Sequence, residues 1–159
     1  MKTITRRREL YISRFYTVSR QQVFRAWTDP KQVARWWGPK DFTNPVCEIE
    51  ARVGGRIHIV MRGPQGTDHT MRGTITDIRA NERFAFDFEA LDKNGKPALQ
   101  GRLSVSFADE DGKTRLSLST YAEGLGPDAG EMLEGMEAGW NQSLDRFARL
   151  INHPSQEKA

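Results

Sequence analysis

The last long stretch of the chain, GEMLEGMEAGWNQSLDRFARLIN from Gly130 to Asn152, constrains everything that precedes it. Met132, Met136, Trp140, Leu144, Phe147 and Ile151 recur at three- and four-residue steps, whereas Glu134, Asn141, Asp145, Arg146 and Arg149 lie mostly off that stripe. This is the 3.6-residue period of one amphipathic helix more than twenty residues long, roughly 30 Å at 1.5 Å per residue. A helix of that length with such large apolar groups must lie against something extended. The chain before it supplies one candidate, a run of alternating strands.

The strand signal starts early. Glu9 to Thr17 (ELYISRFYT) is rich in β-branched and aromatic residues and reads as a first strand. Ser19 with Gln22 forms a capping-box pattern that opens a short helix carrying Val23, Phe24 and Trp27 on one side. Asp29-Pro30 restarts the chain as a second short helix with Val33, Trp36 and Trp37, ended by Gly38-Pro39. From Phe42 the period becomes two, with strands predicted near 43–51, 56–63, 68–79, 83–91, 99–108 and 113–121. Gly, Asn and Asp mark every connection. Ile57/Ile59/Met61, Phe84/Phe86/Phe88 and Leu103/Val105/Phe107 alternate with polar residues, so one face is buried and one is wet. The connections are too short for parallel crossovers. The expected class is α+β: a seven-stranded antiparallel sheet wrapped around a C-terminal helix.

At 159 residues the chain fits one domain, placed at 9–152 between a flexible basic segment (1–8) and a short flexible tail (153–159). The net charge of +3 owes part of its excess to Lys2, Arg6, Arg7 and Arg8. No nucleic-acid motif follows them, so they read as a solvated terminus, with neither nucleic acid nor membrane expected as a partner. Cys47 is the single cysteine, which excludes an intramolecular disulfide and fits a reducing compartment. No apolar run is long enough for a signal peptide or a membrane span, and the expected location is cytoplasmic.

The order strand, two short helices, six-strand meander and long helix resembles the helix-grip fold of the START-like (SRPBCC) superfamily. The branch it resembles most is homologous to the C-terminal domain of the heat-shock-protein-90 ATPase activator. The residues carrying the likeness are VFRAWTDP (Val23 to Pro30), Trp36-Trp37-Gly38-Pro39, CEIEARVGG (Cys47 to Gly55), Asn81-Glu82-Arg83-Phe84 and Gly139-Trp140 leading into Leu144, Phe147 and Leu150. Glu50 stands where that family usually has Asp, which keeps the carboxylate. The resemblance is specific for fold. Relatives with this fold include lipid carriers, plant hormone and allergen proteins, polyketide aromatase/cyclases and the chaperone activator, so it leaves function open.

No portable catalytic motif is present: no G-x-S-x-G, no H-E-x-x-H and no P-loop. His58, His69 and His153 are not at ligand spacing from one another, and neither metal nor cofactor is expected. His58 falls in the wet register of its strand, and His69 opens a strand beside a Gly-rich hairpin. Glu48 and Glu50 share a strand face and read as partners for Arg52 or Arg56 rather than as an acid–base pair. Arg56, Arg62, Arg72, Arg102 and Arg115 lie on the wet face, where cross-strand pairing with Asp and Glu is the simpler account than docking of an acidic partner.

The informative residues are large and soft. Trp27, Trp37, Phe42, Met61 and Met71 are expected to line the space between sheet and helix, with Phe88, Met132, Met136 and Trp140. Gly135 and Gly139 remove bulk from the helix beside Met136 and Trp140, which either admits a ligand or lets the strands approach. The same side chains fill a closed core equally well on pattern alone; the resemblance favours a cavity. The leading expectation is a binding protein for a small apolar or aromatic molecule, oriented by Tyr16, His69 and Asn141. The alternatives are a chaperone-ATPase interaction module and a cyclase- or dehydratase-like enzyme using the same cavity. The pattern selects neither monomer nor homodimer.

Overall fold

The computed structural model describes residues 6–127 and 129–152. These form one seven-stranded sheet from β1 (Arg6–Tyr16), β2 (Thr43–Ile49), β3 (Arg56–Arg62), β4 (Asp68–Arg79), β5 (Arg83–Leu91), β6 (Pro97–Glu110) and β7 (Lys113–Gly124). Every pairing is antiparallel, in the order β1-β7-β6-β5-β4-β3-β2. Helices α1 (Arg20–Thr28) and α2 (Pro30–Trp36) separate the first two strands, and α3 (Ala129–Glu134) and α4 (Met136–Asn152) end the described chain. This is the helix-grip arrangement expected of the α+β class.

Local chemistry explains the junctions. Ser19 caps α1 by accepting from the Gln22 backbone N–H at 3.2 Å, and the Gln22 side chain accepts from the Ser19 backbone N–H at 3.3 Å. Asp29 ends α1 and begins α2, where its carboxylate accepts from the Lys31 N–H and Pro30 holds the first helical position. Asp111-Gly112 turns β6 into β7 with φ of 52° and 78°, the two positive values that a type I′ hairpin requires.

The core lies between the sheet and the C-terminal half of α4. Leu144 and Phe147 are wholly buried against Trp27 and Trp36 from the two short helices. Phe147 meets Tyr16 and Trp36 edge-on at 5.1 and 5.0 Å, and the Trp36 indole N–H donates to the Ala26 carbonyl at 2.9 Å. A second, smaller cluster of Leu99, Ala122, Ala129 and Leu133 sits under α3.

Two expectations need correction. The long helix is not unbroken: it is interrupted at Gly135, where α3 ends and α4 begins. Gly135 N–H still bonds to the Glu131 carbonyl (3.0 Å) and Gly139 N–H to that of Gly135 (2.9 Å), so the break is a kink. Glycine, the weakest helix former after proline, permits it, and Leu133, off the predicted stripe, is thereby the residue buried in the second cluster.

The second correction concerns the basic segment. Strand β1 begins at Arg6, with Arg6, Arg7 and Arg8 paired to Gly124, Glu123 and Ala122 of β7. Arg6, Arg8 and Arg14 face the helices and meet Glu134 (3.7 Å), Glu137 (3.0 Å) and Asp145 (3.3 Å). Arg14 also donates to Asn141 at 3.0 Å, and Arg8 to the Leu133 and Glu134 carbonyls at the end of α3. Cations at a helix C-terminus complement its dipole. An alternate-residue basic row on a strand thus meets an acidic row at helical spacing, which pins the sheet edge to the kinked helix. Lys2, the remainder of positions 1–5, Asp128, His153 and the rest of the tail lie outside the described residues.

Candidate functional site

Depth along the sheet decides where space remains. Residues opposite one another on neighbouring strands share a face. The inward row Phe84–Val105–Leu118–Ile12 is bulky, and α4 packs upon it. Towards α3 the rows thin to Phe86–Leu103–Thr120, then Phe88–Gly101–Ala122, then Ala90–Leu99. Gly101 is obligatory there, because a Cβ would come within 1.9 Å of the Tyr121 carbonyl oxygen. The helical layer narrows at the same end, with Gly135 and Gly139. A cavity of about 340 Å³ results between the sheet and the α3–α4 junction.

Four of the chain's five methionines line it, Met61 and Met71 from the sheet and Met132 and Met136 from the helices. Trp37, Phe42, Phe88 and Trp140 complete the set, so eight of the nine residues expected from the sequence converge on one space. Trp37 and Trp140 meet edge-on at 5.3 Å. A neighbouring recess of about 190 Å³ shares both tryptophans with it and reaches Ser143. Three polar residues lie on the lining: His69, Thr120 and Glu131. Thr120 spends its hydroxyl proton on the Arg102 carbonyl at 2.9 Å, and the His69 ring lies 5.9 Å from that of Phe42.

The wall made by Trp37, Pro39 and Phe42 comes from irregular chain, which α4 holds in place. One guanidinium nitrogen of Arg146 donates to the carbonyls of Trp37, Gly38 and Pro39 at 3.0, 3.0 and 2.9 Å. Its other terminal nitrogen reaches the Arg35 carbonyl at 3.3 Å. Burial, with Arg149 nearby, holds the Arg146 pKa below the usual arginine value, partly offset by Asp41. Gln142 accepts from the Lys40 backbone N–H at 3.1 Å. Gly38 adopts φ of +97° and lies so near Met61 that a Cβ would sit 2.9 Å from its sulfur. The same helix therefore roofs the cavity and fixes its mouth.

Three expected residues lie elsewhere. Trp27 belongs to the core, only 1% exposed, and stacks behind Trp140 with centroids 6.1 Å apart. Tyr16 is buried beneath Phe147, and Asn141 is engaged by Arg14. Periodicity marks a face of a strand or helix without giving depth, and Asn141 stands off the apolar stripe of its helix. Sequence reasoning missed Phe86, Leu103, Ala122 and Glu131. The first two stand in the inward register already recognised, whereas nothing in the pattern marks Glu131.

The wet face of the sheet carries a larger recess of about 750 Å³, lined by Glu48, His58, Arg72, Asp87 and Glu89 among others. Its charges satisfy one another. His58 Nδ1 lies 3.2 Å from Glu48, Arg72 bonds Glu89 at 3.0 Å and Arg102 bonds Asp87 at 2.7 Å. Arg62 pairs with Asp68 and Arg115 with Glu110, and Glu50 lies 4.0 Å from both Arg52 and Arg56. No group of three or more His, Cys, Asp or Glu able to hold a metal occurs among the described residues. None of their helices is long and apolar enough to cross a membrane. Cys47 is half-buried beside the core, and burial pushes its thiol up to about 12.

Residues 17–152 match the family described as "Activator of Hsp90 ATPase homolog 1-like protein". The chain belongs to that family. Solved structures agree on the fold of this family member. A protein from Chromobacterium violaceum is 26% identical, with a TM-score of 0.75 over 91% of this chain and 97% of its own. A putative uncharacterized protein from Rhizobium leguminosarum reaches a TM-score of 0.77 at 22% identity, over 92% and 95%. The AHSA1 protein from Silicibacter pomeroyi gives 0.74 at 22%, over 89% and 95%. No curated protein matches the chain significantly.

Proposed function

We propose that this family member is a cytoplasmic binding protein that holds a small apolar or aromatic molecule under the α3–α4 junction. The observation that carries the reading is the cavity of about 340 Å³ with its methionine and aromatic lining. That volume lies within the range of small-molecule sites, and such sites are mostly apolar with few polar groups. Affinity comes from displaced water and from dispersion against polarizable thioethers and rings. The methionines adapt to the shape of the guest, whereas Trp37, held through the Arg146 clamp, gives the mouth a fixed edge.

The test is native mass spectrometry of protein purified from lysate without denaturation, followed by release and identification of bound molecules. A co-purifying apolar compound that is lost in Met136→Trp, which fills the cavity, supports the reading. A compound retained by Met136→Trp, with the variant folded, overturns it. The family's chaperone-activator description supports a second reading, a docking module for a chaperone ATPase. Arg102 and Arg115, its obvious contacts, are already engaged by Asp87 and Glu110. Stimulation of such an ATPase that Arg102→Glu abolishes is the result this second reading requires.

A further inference from the structure

We infer that the cavity selects guests carrying a positive charge beside their apolar body, and that Glu131 is the residue that discriminates. The inference rests on the cavity being a binding site. Its lining contains one carboxylate, Glu131, and neither lysine nor arginine. Glu131 lies one turn before Gly135 on the cavity side of α3, on the exposed rim, beside Met132.

The neighbouring acids are occupied. Glu134 meets Arg6, Glu137 meets Arg8 and Asp145 meets Arg14. The basic side chains that meet the helical layer from β1 are thus taken up along that acidic row, whereas no described side chain forms an ion pair with Glu131. The rest of the lining has the same electrostatic preference. Trp37, Phe42, Phe88 and Trp140 are aromatic, and a cation set over the face of such a ring is attracted to it. Four thioether sulfurs add polarizable, weakly accepting surface. His69 supplies the one imidazole of the lining, and its ring stands against Phe42. An ammonium group near Glu131 with its hydrocarbon or aromatic part between the methionines satisfies both halves of the site. A carboxylate in that place meets a like charge at the rim and finds neither lysine nor arginine on the lining.

The experiment uses three probes of one skeleton, 4-phenylbutylamine, 4-phenylbutanol and 4-phenylbutyrate. Each competes with the uncharged fluorophore N-phenyl-1-naphthylamine on wild type and on Glu131→Gln. Glu131 is exposed, so the variant keeps the fold, which far-UV circular dichroism confirms. The ammonium compound is expected to displace the fluorophore about five- to tenfold better than the carboxylate, the effect of one rim ion pair plus a cation–π contact. That preference should shrink in high salt and fall to about twofold or less in Glu131→Gln. Equal displacement by all three probes overturns the charge selection and leaves the cavity reading intact. A preference undiminished in Glu131→Gln overturns the role of Glu131. Failure of the uncharged fluorophore to bind wild type overturns both the cavity reading and the inference built upon it.

Discussion

The two ends of the α3–α4 layer rest on the same sheet and differ in what they leave between. Around the C-terminal half of α4, Leu144, Phe147, Leu150 and Ile151 are buried, and aromatic rings from three other elements pack against Phe147. Across the kink, Ala129 and Leu133 are the buried anchors of α3, while Met132, Met136 and Trp140 stay partly exposed around open space. Apolar content does not separate the two ends. Side-chain size across the sheet rows does, together with the two helical glycines. A fold can therefore keep one end for stability and the other for a guest, provided the small residues are confined to one side.

The comparison breaks most visibly at Phe147. Phe147→Ala should cost about 3–5 kcal/mol, the range for truncating a buried aromatic, measured by urea unfolding. If the loss is under about 1 kcal/mol, the C-terminal end is not the stabilising one. Arg146→Met removes charged hydrogen bonds to the 37–39 carbonyls and should cost about 2 kcal/mol while weakening fluorophore binding through a loosened Trp37. Arg146→Lys should restore only part of both, because an ammonium cannot reproduce the guanidinium fork. Trp140→Ala should weaken binding tenfold or more, about 1.4 kcal/mol, and cost less stability than Phe147→Ala. Losses of the reverse order would make Trp140 a core residue. Gly135→Ala meets only ordinary contacts, 3.5 Å from the Glu131 carbonyl oxygen. It should stabilise the protein by about 0.5–1 kcal/mol and slow entry of the fluorophore in stopped flow by stiffening the kink.

The smallest effect concerns pH. Burial raises the Cys47 thiol from 9.0 to about 12, and raises Tyr16, whose buried hydroxyl has no hydrogen-bond partner among the described residues, above the usual phenol value. The folded state thus keeps protons that the unfolded chain releases above about pH 9. This contribution is intact below pH 9 and is lost as pH rises towards 12. Urea midpoints measured from pH 8 to 11 should fall, and less steeply in Cys47→Ala with Tyr16→Phe. Identical slopes would refute the assignment.

Much of this was legible in the residues. Alternation and turn chemistry place all seven strands, and the Ser19 and Asp29 caps place α1 and α2, because these signals are local. The inward register collects most of the cavity lining for the same reason. Depth was not legible: Trp27 and Trp37 look alike in sequence, yet one is core and the other wall, which depends on where α4 crosses. Nor was the kink at Gly135 legible, since an isolated glycine inside a helical pattern is tolerated without ending or bending the helix. The pairing of Arg6, Arg8 and Arg14 with the helices joins residues separated by most of the chain, a relation that no window contains.

That last relation bears on how the chain is made. Strand β1 is synthesised before the other six strands, yet its partner β7 follows only after the whole meander, with Arg6 matched to Gly124 and Tyr16 to Thr114. Until then β1 is an unpaired, aromatic-rich strand exposed to other nascent chains, a setting that favours mispairing. Its four arginines among eleven residues set charge along the strand, the kind of feature that blunts edge-to-edge pairing. The charges that finally fasten the sheet edge to the helix thus serve first as a guard on the newborn strand.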